Sequence, residues 1–339
     1  MFNAVRSNLR RFSPERIQAA RLSRLLRANA GTTDPWRLLV PVGGREIEYR
    51  FFFLCGFGKS GTNWVGSILN LHPQIRCEGE FFFNTLFWGL KEFSRPQHHI
   101  GHRDPYRTVA LDSLYALVRN VMLCTSREKS GATCLGDRSP RELEEILPGA
   151  PTIWLLRDGR DVVVSYTYHY LRLSKRSADN IGYWPDEVRA AFAPFAREFD
   201  AEASPQRKTE AARGLLRERS WVRYVADLWA VRVDKDLNAM QEWTSPLLKI
   251  RYEDLHQDPD GESDRMYEFL GVNPGLAHAR TREDRTSPGF AQEDPTSFYR
   301  KGVVGDWRNY DTPEFREAFE ASAGRALARA GYADWNAAA

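Results

Sequence analysis

Three short stretches of the chain gather cations, hydroxyls and glycines in patterns suited to holding an anion. The first is Gly56-Phe57-Gly58-Lys59-Ser60-Gly61-Thr62-Asn63-Trp64. Its glycines let the backbone bend until successive N–H groups face one point, and a helix starting just after adds positive potential there. Lys59 supplies a mobile ammonium, so a phosphate is the expected guest. The second stretch is Arg157-Asp158-Gly159-Arg160-Asp161, with Ser165 one turn into the helix expected after it. A guanidinium at Arg157 can fork onto a phosphate while the Ser165 hydroxyl donates from the adjacent helix. The third runs Phe298-Tyr299-Arg300-Lys301-Gly302-Val303-Val304-Gly305-Asp306-Trp307, two cations ahead of a glycine loop. Taken singly, the first two have plain alternatives: a glycine turn with a snorkelling lysine, and an Arg/Asp ion-pair cluster on a solvated turn. Together the three suit a nucleoside that carries phosphates at both ends.

A nucleotide triphosphatase is the nearest rival, because Gly58-Lys59-Ser60 matches the end of the GxxxxGK[ST] loop. The first glycine of that pattern falls on Phe53, inside an apolar run. The loop is therefore short, with room for a 5′-phosphate but not for a magnesium-bound triphosphate. An ATP-dependent small-molecule kinase is kept as one alternative, and a non-catalytic nucleotide-binding scaffold as another.

The elements that must position these stretches emerge from the apolar pattern. Tyr49 to Cys55 is a dense run of strand length, and Trp64, Val65, Ile68 and Leu69 recur at helical spacing after it. A continuous rather than alternating apolar strand belongs to a parallel sheet covered on both faces. Further strands are expected at Ala132 to Leu135, Thr152 to Leu156 and Leu247 to Tyr252, and helices at Pro140 to Leu147, Asp161 to Leu171, Trp221 to Trp243, near Arg265 to Leu270, and Pro313 to Ala330. The fold class is α/β: a P-loop-like three-layer arrangement with a central parallel sheet flanked by helices. Between Ser177 and Arg219 a polar stretch broken by Pro185, Pro194 and Pro205 reads as a helical insertion over the sheet.

With 339 residues, 42% of them apolar, the chain can fill one large core. Residues 46–339 are assigned to one catalytic domain and residues 1–45 to a basic helical extension carrying Arg6, Arg10, Arg11, Arg16, Arg21, Arg24 and Arg27 against one acid, Glu15. That extension packs on the domain or a partner subunit, or touches a membrane surface; a homo-oligomer stays open. Lys and Arg number 48 against 45 Asp and Glu, a balance that excludes nucleic acid as the default partner. Cys55, Cys77, Cys124 and Cys134 show neither CxxC spacing nor a disulfide framework, and no apolar run is long enough for a transmembrane helix, so a cytoplasmic protein is expected.

The order Lys-Ser-Gly-Thr-x-Trp at Lys59 to Trp64 resembles the 5′-phosphosulfate loop of sulfotransferases that use 3′-phosphoadenosine 5′-phosphosulfate (PAPS) and release 3′,5′-phosphoadenosine (PAP). Arg-x-x-Arg-Asp-x-x-x-Ser at Arg157 to Ser165 resembles their 3′-phosphate site, and Arg300 to Trp307 reproduces the RKGxxGDW segment of the cytosolic members. The resemblance implies that Lys59 meets the 5′-phosphate and bridging oxygen, that Ser60, Gly61, Thr62 and Asn63 hold that phosphate, and that Trp64 stacks near adenine. It further implies that Arg157, Ser165, Arg300, Lys301 and Gly302 grip the 3′-phosphate, with Arg160 and Asp161 orienting the turn and Asp306 and Trp307 fixing the loop. Asn63 replaces the commoner threonine, and Trp64 standing alone would be core.

The same family's histidine base, in Lys-Thr-His-x-Pro, is missing: Gly136-Asp137-Arg138-Ser139-Pro140 stands there. His72 to Glu80 instead resembles the segment of tyrosylprotein sulfotransferases in which a glutamate shortly after Arg-Cys is the base, which places that role on Glu80 with Glu78 as competitor. Burial beside Phe81 to Phe83 would strengthen such a base, and Lys59 or Arg138 would oppose the effect. Arg138 takes the place of a lysine that stabilises the transferring group, or forms an ion pair with Asp137 or Glu142; Glu80 can also be a simple helix N-terminal charge. His98, His99 and His102 lack a metal-ligand frame and read as a polar loop, so no metal is expected. Phe81, Phe82, Phe83, Phe87, Trp88 and Phe93 either line an apolar acceptor pocket or are core. The acceptor is a hydroxyl or amine on a small molecule, carbohydrate or lipid.

Overall fold

The computed structural model describes residues 34–93, 95, 106–138, 146–173, 183–199, 202–277, 293–298, 300–332 and 335. The arginine-rich residues 1–33, the histidine loop and the expected helix after Pro140 lie outside them. Strand β2 (Arg45–Gly56) is the spine, and its apolar half, Phe51 to Gly56, is wholly buried. Parallel to it run β4 (Cys134–Arg138) on one side and β5 (Thr152–Leu156) on the other, with β3 (Ile75–Gly79) and β6 (Leu247–Arg251) outermost, in the order β3-β4-β2-β5-β6. Register pairs Phe53 with both Asp137 and Thr152. Phe53 is therefore mid-strand, and the long phosphate-wrapping loop of a nucleotide triphosphatase has no place to form.

Alternation along β2 divides the core in two. Phe51, Phe53 and Cys55 face the layer built by α3 (Tyr106–Thr125), α4 (Gly159–Leu173), α5 (Asp186–Glu198), α6 (Pro205–Leu215), α7 (Arg219–Ala239) and α10 (Pro313–Arg329). Phe52 and Leu54 face the other layer, where Trp64, Val65, Ile68 and Leu69 of α1 (Thr62–Leu69) meet Met266 and Tyr267 of α9 (Pro259–Phe269). This is the three-layer α/β arrangement expected from unbroken apolar strands. The short helices α2 (Asn84–Phe93) and α8 (Tyr252–Gln257) complete the order. Helix α10 starts where the Thr312 hydroxyl accepts from the Phe315 N–H, with Pro313 at the first helical position.

Four features depart from the sequence expectation. β1 (Arg37–Val42) pairs antiparallel with β2, so a division at residue 45 cuts through a hairpin that belongs to the sheet. β3 was not anticipated as a strand, because only five residues of an edge carry its pattern. β4 starts two residues and ends three residues later than its apolar run, closing on Arg138. Helix α3 has too even an apolar distribution to show a face. Within the insertion the described residues include the two helices α5 and α6, flanked by turns. Among the described residues no helix is long and apolar enough to cross a membrane.

Candidate active site

In an open parallel sheet the loops at the carboxyl ends of the strands converge, and ligands gather there. Here the Phe57 to Gly61 loop leaves β2, Glu80 comes just after β3, Arg138 ends β4, Arg157 comes after β5 and Tyr252 after β6. A pocket of about 640 Å³ opens over these ends, inside the usual range of roughly 300–1,000 Å³ for small-molecule sites. All three sequence stretches reach it: Lys59 and Gly61 to Trp64 from the first, Arg157 and Ser165 from the second, Arg300 to Gly302 from the third.

The glycine loop is tightly determined. Gly61 has φ +104°, and a Cβ there would stand 2.7 Å from the Tyr252 ring, so only glycine fits. It precedes α1, whose opening N–H groups at Thr62 and Asn63 have no acceptor within the helix, whereas the Trp64 N–H donates to the Gly61 carbonyl at 2.9 Å; all three residues lie on the pocket wall. Ser60 departs from the expectation. It is buried, absent from that wall, and its N–H closes the turn onto the Phe57 carbonyl at 3.1 Å. Trp64 is at once core and wall: 3% exposed, it stands edge-on to Tyr252 at 5.3 Å. The Asn63 side chain accepts from Arg138 Nη1, and Arg138 Nε donates to the Glu78 carbonyl.

Lys59 sits at φ +71°, with its ammonium 3.9 Å from the Phe298 ring centroid. Burial, and then Arg172 and Arg157, pulls this ammonium down to about 7, with Glu80 acting the other way. Arg157 is almost wholly buried. Its guanidinium donates to the carbonyls of Lys59 (3.3 Å) and Val303 (3.0 Å) and lies 4.1 Å over the Tyr252 ring. Its Nε is buried with no hydrogen-bond partner among the described residues. An orphaned cationic donor on a pocket wall is costly unless a ligand completes it, and an anion such as a phosphate fits that demand.

Asp161 and Asp306 hold the third stretch in place. Asp161 accepts from the Gly305 N–H (2.8 Å) and the Trp307 N–H (3.0 Å), so it anchors the glycine loop as well as its own turn. Asp306 accepts from Arg300, from Lys301 at 2.9 Å and from Asn309 at 2.9 Å. Glu293 joins the pair, 2.7 Å from Arg300 and 3.3 Å from Lys301. His256, on α8, pairs through Nε2 with the Gly302 carbonyl at 2.8 Å. Trp307 is buried under the Arg160 guanidinium, 4.1 Å from its ring, and Asp158 holds Arg160 at 2.7 Å.

The two glutamates part company. Glu78 is bound to Arg76, which also meets Glu128 at 2.5 Å. Glu80 takes φ +54°, lies on the pocket wall and is exposed, so the burial expected beside Phe81 to Phe83 does not occur. The Phe81 N–H donates to buried Asp137 at 3.3 Å, which secures the turn. None of Phe81, Phe82, Phe83, Phe87, Trp88 and Phe93 reaches the wall; Tyr166, His169 and Tyr170, which sequence reasoning passed over, do, and so does Phe298, which opens the third stretch but was given no role. The helical spacing of Ser165 and His169 on one face was the signal that could have found the histidine. Among the described residues no cluster of His, Cys, Asp and Glu has metal-binding geometry.

A family model described as a sulfotransferase domain matches residues 50–331. Sulfotransferase 1A1 of Bos taurus is 26% identical over 300 residues, covering 80% of this chain and 81% of that protein. Sulfotransferase 1E1 of Rattus norvegicus is 24% identical over 290 residues, with 78% and 79% covered. Among solved structures, mouse sulfotransferase SULT7A1 complexed with PAP covers 87% of this chain and 99% of its own at 16% identity and TM-score 0.39. A sulfotransferase from Alicyclobacillus acidocaldarius covers 84% and 96% at 17% identity and TM-score 0.38. The chain belongs to the sulfotransferase family. It is a PAPS-dependent enzyme that transfers a sulfuryl group.

The buried carboxylate sets a pH expectation. Burial lifts Asp161 to about 6, against Arg157 and the two backbone donors. A carboxylate raised in the fold costs stability once ionised, so its share of stability falls between about pH 4 and 6 and stays low above. Its grip on the glycine loop runs the other way and is lost as pH drops through about 6. Asp161→Asn should weaken PAP by roughly tenfold at pH 7.5 and flatten the acid limb of PAP affinity, read by calorimetry from pH 5 to 8.

Proposed function

We propose that PAPS lies across the pocket with its 5′ end on Lys59 and the Gly61 to Asn63 loop, and its 3′-phosphate between Arg157, Ser165 and Arg300 to Gly302. The observation that carries this is the convergence of Lys59, Arg157 and Arg300, distant in sequence, on one pocket wall. The acceptor enters over Tyr166, Tyr170 and Phe298, whose rings favour a small molecule with an apolar body. Glu80 takes the proton of its hydroxyl or amine as the nucleophile attacks sulfur. The bond from sulfur to the bridging oxygen breaks in line, and Lys59 donates to the departing phosphate. Arg138, already tied to Asn63, stabilises the sulfuryl oxygens. The wall position of Glu80 and the Arg76 partner of Glu78 support Glu80 as the base. A cytoplasmic location belongs to the same proposal, supported by cysteines that are all unpaired.

The test is nucleotide preference and then turnover. At a hundred times its dissociation constant, PAP should stabilise the protein by about 2.7 kcal/mol, with ATP and magnesium giving far less at equal concentration. Labelled sulfate from PAPS should then appear on a member of a phenol, sterol, sugar and amine panel. A shift with ATP and none with PAP would return the site to a kinase.

A further inference from the structure

We infer that His169 is a neutral hydrogen-bond donor to the sulfuryl group in transit, with Arg172 setting its tautomer. Helix α4 places His169 one turn beyond Ser165, and both residues lie on the pocket wall. Arg172 Nη2 is 2.9 Å from His169 Nδ1. A guanidinium has only donors, so Nδ1 must be the acceptor and carries no proton. Arg172 is itself held by the Ser297 carbonyl at 2.7 Å, and its guanidinium lies over the Phe298 ring. Burial, then the charges of Lys59 and Arg172, hold the imidazole down to about 3. No carboxylate of the described residues contributes to that balance. The ring is therefore neutral at ordinary pH, and its one proton is on Nε2.

This arrangement removes His169 as a general base, because its only acceptor nitrogen is already engaged. It leaves an N–H on the wall with no partner among the described residues. Lys59 and His169 pack against the same ring, with the ammonium 3.9 Å and the imidazole 6.1 Å from the Phe298 centroid, so both approach one small volume. Lys59 is the residue that meets the sulfur end of the donor in the proposed function, on which this inference rests. During transfer, negative charge spreads over the peripheral oxygens of the moving group. A third cation beside Lys59 and Arg172 would raise their mutual repulsion, whereas a neutral donor answers the oxygens without that cost. Arg172 is a positioning residue in this scheme, since it is not on the pocket wall.

The sulfuryl group is present in PAPS and absent from PAP, which supplies the readout. In calorimetry without acceptor, His169→Phe should weaken PAPS about tenfold or more while PAP stays within about twofold. His169→Gln, whose amide can place an N–H near Nε2, should keep PAPS within about threefold of the wild type. Nitrogen-15 spectra of the imidazoles should show His169 as the neutral Nε2–H form from pH 5.5 to 8, and Arg172→Met should abolish that preference. Equal weakening of PAPS and PAP by His169→Phe would reduce the residue to a structural part and overturn the proposal. An unmoved PAPS affinity, or a protonated or Nδ1–H ring at pH 7, would do the same. If the wild type bound neither nucleotide, the donor assignment itself would fall, a result distinct from intact PAP binding with an unchanged PAPS to PAP ratio.

Discussion

Replacing Glu80 by glutamine should lower turnover by roughly 10²- to 10⁴-fold, the usual contribution of a positioned general base, while PAP affinity stays within about threefold. The separation of effects comes from position. Glu80 lies just beyond β3, on the wall formed with Lys59 and Arg138, and its left-handed backbone turns it out of the strand's alternation. Without that turn, Glu78 and Glu80 would share one face of the strand. Glutamine keeps the size and one acceptor but cannot take a proton. Glu78→Gln serves as the comparison: Glu78 is paired with Arg76 and is absent from the pocket wall, so its loss should cost less than about threefold in turnover. Single-turnover measurement with a saturating acceptor checks both variants. Equal losses in the two would remove the assignment of the base to Glu80.

Lys59→Met should cost about 10²- to 10³-fold in turnover, the range for losing one donor aimed at developing charge, and should also weaken PAP. Its pH behaviour is more diagnostic than its size. The ammonium is held down to about 7, chiefly by burial. A lysine lowered in the fold contributes stability that grows as pH rises from about 7 towards its unfolded value, because the unfolded chain then binds the extra proton. Bound phosphate reverses the balance by favouring the charged form. PAP binding should therefore draw a proton onto the protein near pH 7 to 8, and affinity should fall as pH rises above about 7. Calorimetry in two buffers of different ionisation heat measures that uptake, and the part due to Lys59 should vanish in Lys59→Met. Identical proton uptake in wild type and variant would show that the amine does not meet the nucleotide.

Much of the site was legible because its residues occur in short contiguous patterns. The Thr152 to Leu156 strand falls where its apolar run predicts, and it delivers Arg157 to the end of the sheet. The same logic placed the Lys59 loop after β2 and excluded a long phosphate loop from the position of Phe53 alone. The contacts that hold these pieces together carry no such mark. Nothing local to Asp161 shows that it will accept from Gly305 and Trp307, across 144 and 146 residues. Nor does the run after Ser165 reveal that His169 will share a ring with Lys59, since Phe298 comes from the far end of the chain. Aromatic residues at Phe81 to Phe93 gave the opposite lesson: they look like an acceptor wall in sequence, yet the pocket takes its rings from Trp64, Tyr252, α4 and Phe298.

The sequence by itself determined the alternating α/β class through its apolar runs, and it carried three short motifs that resemble those of sulfotransferases, because each depends on neighbours within a turn or a strand. Tertiary structure decided which glutamate lies on the pocket wall, that Ser60 is buried away from it, and that His169 lines the pocket against Phe298. Those outcomes depend on backbone turns and on partners brought from more than a hundred residues away. Side chains acquire such partners only when the sheet closes and its loops are pressed together.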